Sequence, residues 1–432
     1  MAANGVRPPY FAYDFVIAEA NKLVSGAPFD DGADNALWRD GQAKIAKLVE
    51  AGTVNASEGD VLRADLEAAL KGGYKAGYDR LVSFMTKDKP NASKVGVGVA
   101  GLPNGADYYA HRLASSTTTD LTPEQVHQIG LDDVKRIHGE MEAIRQQVGF
   151  EGDLQAFFKH IKDGAFNYYP NGEEGAKMYI DAATAAIDNI ESKLPEYFGL
   201  LPKAGLEVKR VEAFREQDGG AQHYQSGTPD GSRPGVYYAH LSDMSAMPKN
   251  MLEVIAYHEG LPGHHMQISI AQELTGVPQF QTQLGYGAYA EGWGLYSERL
   301  AKEMPGTYAD PYSDFGRLSS ELWRAIRLVV DTGVHSKGWT EDQAIAYFTA
   351  NSPQNVETVR NEVRRYLVWP GQATSYKIGM NKILELRAEA ETELGDKFDI
   401  RAFHDAVLGA GSLPLTLLER RVRNWIATVK AG

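Results

Sequence analysis

Residues 256–267 read AYHEGLPGHHMQ and contain three of the eleven histidines of the chain, His258, His264 and His265. When thiolate is absent, as in this chain without cysteine, zinc is bound by imidazole and carboxylate groups. Glu259, directly after the first histidine, is placed to accept a proton from a water that a metal activates. The stretch therefore predicts a zinc hydrolase in which His258 is a metal ligand and Glu259 is the catalytic base.

The spacing of these histidines departs from the H-E-x-x-H signature of helical zinc sites, because position 262 is proline and His264 lies six residues after His258. In an unbroken helix six residues rise about 9 Å, so the two imidazoles could not share one ion. Pro262 removes a helical hydrogen bond, and a bulged or looped turn there could bring His264 back to His258. His265 is the rival second ligand, since it lies near the same helical face as His258.

Residues 287–298 read GAYAEGWGLYSE and supply the third candidate ligand, Glu291. Its separation from the histidines leaves room for a helix end, a turn and a second helix that packs back on the first. Gly292 and Gly294 each cost a helix about 1 kcal/mol relative to alanine, so they predict close approach to another part of the chain. Glu298 shares the helical face of Glu291 and is a candidate hydrogen-bond partner for a ligating histidine.

The composition of the 432 residues argues against several classes of function. The net charge of −13 disfavours nucleic acid as a partner, and the lack of cysteine removes thiolate catalysis. No apolar run approaches the roughly 20 residues that a membrane span needs. Residues 1–9 lack the basic-then-apolar order of a signal peptide, so a cytoplasmic location is the default expectation, with export expected if the N-terminus is truncated.

Apolar residues recur at helical spacing over most of the chain, which predicts a mainly α fold. Residues 206–243 differ, because alternating and turn-rich segments predict a small antiparallel β element before the metal-binding helix, with 235–241 as an edge strand that could hold a peptide. Residues 89–110 are rich in Gly, Pro and Asn and predict a loop. Thr122 and Gln125 predict a capping box. Helices are predicted at 10–25, 34–51, 58–82, 123–147, 153–163, 172–193, 247–275, 287–304, 313–337, 340–350, 356–368, 371–393 and 414–430.

Two motifs, HEGLPGHH at 258–265 and EGWGLYSE at 291–298, resemble the bacterial family called domain of unknown function 885. That family is similar to the gluzincin metallopeptidases, such as thimet oligopeptidase and angiotensin-converting enzyme, which carry H-E-x-G-H and a Glu ligand on the next helix. The match of Gly263-His264 to the Gly-His of that motif favours His264 over His265 as the second ligand. Further stretches that resemble the family lie at 101–105, 108–109, 121–124, 127–130, 331–335, 338–340, 366, 370–373 and 376–379.

The resemblance implies a zincin-like helical metallopeptidase fold in which His258, His264 and Glu291 bind Zn²⁺. It implies a single catalytic domain over the whole chain, with two helical halves, about 1–205 and 206–432, around a cleft. Because such deep clefts exclude folded proteins, the expected enzyme is an oligopeptidase or carboxypeptidase. Its expected substrate is a short peptide or another small amide.

By the same resemblance, the group that stabilises the oxyanion is expected on the C-terminal helices. Tyr376 is the first candidate, with Tyr366 and His335 behind it. For each tyrosine the alternative is a structural role, with the ring packed in the core and the hydroxyl hydrogen-bonded.

A polar stripe also recurs at helical spacing in this region, formed by Arg324, Arg327, Asp331 and His335. One interpretation is an exposed helix face with ion pairs. In the other, the stripe lines the cleft, where Arg324 or Arg327 receives a substrate carboxylate through both arms of its guanidinium group. Lys377 is a lesser candidate for the same role.

Two other functions fit the same residues. Two histidines and one carboxylate also describe the facial triad of non-heme iron enzymes, although Glu259 beside the first ligand favours hydrolysis. Alternatively, a non-catalytic helical metal-binding protein could keep a closed site in which His265 fills the last position.

Overall fold

Helices hold 67% of the residues in the computed structural model, which describes residues 2–213 and 215–432, and the predicted mainly α class is confirmed. The chain divides into two compact units, Met1–Val97 and Gly98–Gly432. The boundary expected near residue 205 lies inside the second unit. Within the described residues, no helix combines the length and the apolar character that crossing a membrane requires.

The helices of the first unit are α1 (Tyr10–Leu23), α2 (Ala36–Glu50), α3 (Ala56–Ala69) and α4 (Lys75–Asp88), with a π-helical turn, Leu70–Tyr74, before α4. Helix α1 packs on α4 around the buried side chains of Tyr13 and Met85. At the end of α4, Asp88 accepts hydrogen bonds from Arg7 and from the Tyr13 hydroxyl. These contacts give the first unit a small core of its own.

The helices of the second unit carry all the candidate site residues. Thr122 and Gln125 form the predicted capping box at the start of the helix Pro123–Gln147. The helices are α5 (Gly105–Thr117), α6 (Pro123–Gln147), α7 (Leu154–Asp163), α8 (Glu173–Glu191), α9 (Leu194–Tyr197), α10 (Leu252–Glu259), α11 (His264–Glu273), α12 (Gly287–Ala301), α13 (Pro311–His335), α14 (Glu341–Asn351), α15 (Val356–Val368), α16 (Ser375–Leu394), α17 (Ile400–Leu408) and α18 (Leu415–Ala431).

The long helix α13 is buried over most of its length within the second unit. It packs closely on α6, where a side chain at Gly130 would lie only 2.8 Å from Cβ of Leu328. A helix buried on every side must find partners for its polar groups. Glu321 meets this need with Lys377, at 2.6 Å, and with Arg136. Most of the charged residues of α13 therefore belong to a packed interior rather than to a solvated face.

The β element is a mixed sheet and not the antiparallel sheet expected from the sequence. Its strands are β1 (Leu206–Arg210), β2 (His223–Gln225) and β3 (Gly235–Ala239), in the order β1-β3-β2. Strand β2 pairs with β3 antiparallel, but β1 pairs with it parallel. Residues 211–234 make this pairing possible, since a parallel pair needs a connection of a dozen residues or more. Strand β3 lies in the middle of the sheet, so the expectation of an edge strand at 235–241 is wrong.

The observed helices differ from the sequence expectation in several places, of which three bear on the second unit. Helix α5 begins at Gly105, inside the segment expected to be a loop, and buries Tyr109. Helix α17 has nine residues, too few for clear periodicity, and was not predicted. The helix expected over 247–275 is divided into α10 and α11 by a turn at residues 260–263. This last difference decides the geometry of the site.

Candidate metal centre

Three potential metal ligands converge from three helices of the second unit. His258 lies near the end of α10, His264 begins α11 and Glu291 lies in the second turn of α12. Oε2 of Glu291 lies 3.6 Å from Nε2 of His258 and 3.5 Å from Nε2 of His264. All three ligand atoms lie within 4.8 Å of one another. The structure thus brings together the three residues that the two motifs indicated.

The turn between α10 and α11 solves the spacing problem of the two histidines. A side chain at Gly263 would overlap the carbonyl oxygen of His258, so only glycine allows the chain to fold back here. The carbonyl of Pro262 is held from outside, because it accepts hydrogen bonds from Trp293 Nε1 at 2.9 Å and from Ser297 Oγ at 3.2 Å. Helix α12 therefore holds the turn that brings the second histidine to the site.

A second face of α12 orients the first histidine. Oε1 of Glu298 accepts a hydrogen bond from Nδ1 of His258 at 2.7 Å, which leaves Nε2 as the free donor atom. Gly294 lies between Glu291 and Glu298 against the same imidazole, and a Cβ there would lie 2.7 Å from Cε1 of His258. The absence of a side chain at position 294 is therefore what lets the ring lie against the helix.

Gly292 has a different role from Gly294. A Cβ at this position would lie 2.5 Å from Cα of Gly379 on α16, and a Cβ at Gly379 would overlap the carbonyl oxygen of Ala288. The two glycines allow α12 and α16 to cross in backbone contact. Gly292 and Gly294 thus both lie in close contact with another part of the chain, as predicted from the presence of two glycines inside a helix.

The charges around the ligands favour a cation. Burial alone would lower the pKa of His258, but the neighbouring carboxylates of Glu291 and Glu298 raise it to about 10. Burial alone would raise the pKa of Glu291, but its contacts with His258 and His264 hold this pKa well below its usual range. The carboxylates of the half-buried Glu291 and the buried Glu298 beside neutral imidazoles would leave negative charge that a proton or a metal ion can balance.

Glu259 ends α10 and is half-buried. Across residues 2–213 and 215–432, no side chain or backbone group forms a hydrogen bond or ion pair with its carboxylate. Its charge acts on His258 and on Tyr237, whose pKa is raised mainly by burial and also by Tyr179 and Glu259. The carboxylate is therefore close to the ligand cluster and available to exchange a proton.

The donor set fits a zinc ion. Two Zn–ligand bonds of about 2.0–2.1 Å at a tetrahedral angle separate their donor atoms by about 3.3 Å. The two measured separations of 3.5 and 3.6 Å are close to this value. If the three residues bound zinc, a His₂Glu set would leave one of four coordination positions open, as in known catalytic zinc sites.

His265, the rival ligand, is directed away from the cluster. Its Nε2 donates to the carbonyl oxygen of Ala204 at 3.0 Å, and its Nδ1 accepts from the Tyr224 hydroxyl at 3.0 Å. Burial lowers the pKa of His265 to about 4, so the ring is neutral near pH 7. Both nitrogens are thus engaged in tying α11 to the segment before β1 and to β2.

Acid is expected to destabilise the protein through two buried neutral histidines, His265 and His404. Burial lowers the pKa of His404 to about 3, whereas an unfolded histidine titrates near 6.5. Because the folded pKa is the lower one, this stability is present above about pH 6.5 and is lost as the pH falls towards the folded pKa. At pH 5 each histidine is expected to lower the free energy of unfolding by about 2 kcal/mol.

Denaturant unfolding at pH 7 and pH 5 measures this loss. The matched variant is His404→Gln, because an amide can donate to the Tyr197 carbonyl and accept from the Tyr296 hydroxyl as the ring does. The variant is expected to lose about 2 kcal/mol less than the wild type between the two pH values. Equal losses in both proteins would contradict the assignment.

The side chains of His335 and Tyr366 are both buried and both form hydrogen bonds with other parts of the protein. Nδ1 of His335 accepts from the Val99 amide at 3.1 Å, and Nε2 donates to the Tyr366 carbonyl at 3.0 Å. The Tyr366 hydroxyl donates to Glu362 at 2.7 Å and accepts from Nε of Arg327 at 3.1 Å. The polar atoms of both side chains thus have structural partners.

The remaining candidates separate into two groups. Lys377 is fully buried and ion-paired with Glu321, which favours a structural role for its ammonium group. Tyr376, by contrast, is half-buried, and no hydrogen bond reaches its hydroxyl from the part of the chain that the structure describes. The guanidinium groups of Arg324 and Arg327 lie 5.8 and 4.6 Å from the centre of its ring.

Trp293 and Ser297 were missed by sequence reasoning, although both stand in the quoted stretch 287–298. Their spacing of four residues places them on one helix face, and this was the available signal. The partner that they hold, the carbonyl of Pro262, could not be read from any side-chain pattern. Glu362 was missed in the same way, although it precedes Tyr366 by one helical turn.

Comparison with solved structures shows that the fold has relatives. A crystal structure of a candidate lipoprotein from Colwellia psychrerythraea superposes with a TM-score of 0.89 at 33% identity and covers 99% of this chain and 72% of that one. A candidate lipoprotein of unknown function from Shewanella oneidensis has a TM-score of 0.69 at 20% identity, with coverage of 96% and 73%. The second likeness shows a shared fold.

No curated protein matches the chain. The sequence pattern of one family, described as bacterial protein of unknown function (DUF885), matches residues 1–422. This range includes both motifs of the candidate metal centre and nearly the whole of both compact units. The chain therefore belongs to the DUF885 family.

Proposed function

We propose that this protein is a zinc-dependent hydrolase, most simply a metallopeptidase of short peptides with a zincin-like, gluzincin-type site. His258, His264 and Glu291 hold the metal, and Glu259 is the catalytic base. The observation that carries the proposal is the convergence of three donor atoms within 4.8 Å, beside a carboxylate that lacks a partner among the described residues. Neither the family nor the related structures supply an activity, so the proposal stands on this geometry.

In the proposed amide hydrolysis, each residue of the site has a separate role. Zinc, when bound, supplies Lewis acidity that polarises the amide carbonyl and makes water more acidic. Glu259 takes the proton of the attacking water and delivers it to the leaving nitrogen. Glu298 keeps the proton of His258 on Nδ1, so that Nε2 stays a donor. Tyr376 is the candidate donor to the carbonyl oxygen as negative charge develops there.

The two alternatives are less well supported. A non-heme iron site would use the same three ligands, but it gives no role to the unpartnered carboxylate of Glu259. A closed structural site would need a fourth protein ligand. His265, the residue suggested for that position, is bonded to Ala204 and Tyr224 instead.

Metal content by elemental mass spectrometry tests the proposal. The wild type is expected to bind zinc near one equivalent per chain, and His264→Ala and Glu291→Ala are expected to lose it. His265→Ala is the matched control and should keep the metal. An absence of zinc after it is supplied to the wild type would refute the proposal, and iron with oxygen-dependent turnover would favour the first alternative.

Removal of the carboxylate that holds His258 is expected to weaken zinc binding. Glu298→Ala should lower zinc affinity by about 10–100-fold, because Nδ1 loses the acceptor that orients the ring. Glu298→Gln keeps an oxygen that can accept this hydrogen bond and should lose less. Competition with a chromophoric chelator measures both affinities. An unchanged affinity in Glu298→Ala would show that the 2.7 Å hydrogen bond does not orient the ligand.

A further inference from the structure

Arg324 and Arg327 of α13 both lie beside two aromatic rings, those of Trp323 on α13 and Tyr376 on α16. The guanidinium carbon of Arg327 lies 4.6 Å from the ring centre of Tyr376 and 5.6 Å from that of Trp323. The corresponding distances for Arg324 are 5.8 and 6.0 Å. The two cations are thus held next to the same two rings, although groups of like charge repel each other.

Arg327 is 6% exposed, and only part of its hydrogen-bonding capacity is used. Its Nε donates to the Tyr366 hydroxyl at 3.1 Å, and Nη2 donates to Glu362 at 3.0 Å. Nη1 is buried and has no acceptor among the described residues. A buried donor without an acceptor is costly, and for a charged group the cost is larger. This nitrogen therefore keeps an unused capacity to donate a hydrogen bond.

Arg324 also has a buried nitrogen without an acceptor among the described residues, and its hydrogen bonds within that part of the chain go to Ser320 alone. Its Nη1 donates to Oγ of Ser320 at 2.7 Å, whereas Nε is buried without an acceptor in the described chain. No carboxylate within residues 2–213 and 215–432 forms an ion pair with Arg324. Its positive charge therefore has no directly paired carboxylate among these residues.

The local charge balance supports an anion site. Arg327 and Arg365 share one carboxylate, that of Glu362, at 3.0 and 3.3 Å. Arg324 adds a third positive charge one helical turn before Arg327 on α13, in a chain whose net charge is −13. Partly buried positive charge of this kind is stabilised when a ligand brings the missing negative charge.

The cluster is connected to the candidate metal centre through α16. Tyr376 lies in the first turn of this helix, and Gly379, three residues on, is in backbone contact with Ala288 and Gly292 of α12. Gly292 directly follows the ligand Glu291. The ring that both arginines flank is therefore attached to the segment that packs beside a metal ligand.

We propose that Arg324 and Arg327 bind the C-terminal carboxylate of the substrate, so that the enzyme acts on peptides from their free C-terminal end. Guanidinium groups suit this ligand, because their planar arms match a carboxylate. The proposal rests on the proposed hydrolase function and adds the class of substrate. An acidic side chain carries the same chemical group and is the alternative source that the experiment must separate.

The test compares three internally quenched pentapeptides of otherwise identical sequence. One has a free C-terminal carboxylate, one a C-terminal amide, and the third is an amide whose last residue is glutamate. The wild type is expected to favour the free acid over the plain amide by about 100-fold in kcat/KM. Equal rates for the acid and the plain amide would overturn the proposal, as would equal rates for the acid and the amidated glutamate peptide.

Two variants assign the effect to the arginines. Arg324→Met keeps the aliphatic stem and breaks no ion pair, and it should reduce the acid preference to below about 10-fold, mainly through KM. Arg327→Lys keeps the charge beside Glu362 but loses the planar arm, and it should act in the same direction. Arg423→Met, at a surface ion pair of α18, is the control for loss of one charge and should keep the preference. Retention of the full preference in Arg324→Met and Arg327→Lys would overturn the proposal.

A binding measurement separates this proposal from the proposed function. Zinc-loaded Glu259→Gln should bind the peptide acid and hydrolyse it about 10²–10⁴-fold more slowly than the wild type, so calorimetry can measure its affinity before the peptide is consumed. Tighter binding of the acid than of the amide, reduced by Arg324→Met, would support the carboxylate site even if no wild-type hydrolysis were found. Equal affinity for acid and amide, or no binding of either, would overturn it. Hydrolysis of acid and amide at the same rate would leave the hydrolase intact and remove only the carboxylate site.

Discussion

Replacement of Glu259 by glutamine is expected to lower kcat for peptide hydrolysis by about 10²–10⁴-fold, while the protein keeps its zinc. The amide has nearly the shape of the carboxylate but cannot accept a proton from water at neutral pH. Glu259 is half-buried and bonded to no other described residue, so the change should cost little stability. Steady-state kinetics and elemental analysis of the same preparation measure the two quantities.

The control for this variant is Glu191→Gln at the exposed end of α8, which removes one negative charge far along the chain from the motifs. It should leave both activity and metal content unchanged. If Glu259→Gln kept wild-type kcat, the base would have to be another group. If it lost zinc as well as activity, the residue would act in metal binding, and the assignment of a catalytic base would fail.

Replacement of Gly294 by alanine is expected to reduce zinc affinity by about 100-fold, since metal sites tolerate only small displacements of their ligands. The added methyl carbon would lie 2.7 Å from Cε1 and 2.9 Å from Nε2 of His258. Ordinary carbon contacts are about 3.5–4.0 Å, so the imidazole must move. Zinc affinity from chelator competition measures the effect, and peptide hydrolysis at limiting zinc should fall with it.

Gly139→Ala is the matched control, because Gly139 lies inside α6 and a Cβ there would meet no atom within 4 Å. Alanine favours helix over glycine by up to about 1 kcal/mol. The control should therefore raise the unfolding midpoint and leave zinc affinity unchanged. An unchanged zinc affinity in Gly294→Ala would mean that the ring has room to shift without loss of the metal.

Local patterns accounted for most of the helices. Thr122 and Gln125 formed their capping box because both partners lie within one turn of each other. The mainly α class followed for the same reason, since helical hydrogen bonds and amphipathic spacing are local properties. Strand pairing is not local. The parallel contact of β1 with β3 spans residues 211–234, and no residue within either strand specifies it.

The sequence by itself determined which residues could serve as metal donors and as a base, because imidazole and carboxylate chemistry can be recognised from residue type and order. Which of His264 and His265 lies beside His258 and Glu291 was decided by the tertiary structure. After the break at Pro262 the direction of a side chain no longer follows from helical periodicity, and contacts with Trp293 and Ser297 determine it.

The surroundings of the C-terminal candidates were likewise decided only by the tertiary structure. Lys377 is engaged by Glu321, 56 residues away along the chain, whereas Arg327 keeps a buried nitrogen without an acceptor in the described residues. Sequence reasoning made Arg327 a candidate ligand for a substrate carboxylate and Lys377 a lesser candidate for the same role. The packing of α13 against α6 and α16 separates them, because the energy of a buried charge depends on which counter-charges the fold brings beside it.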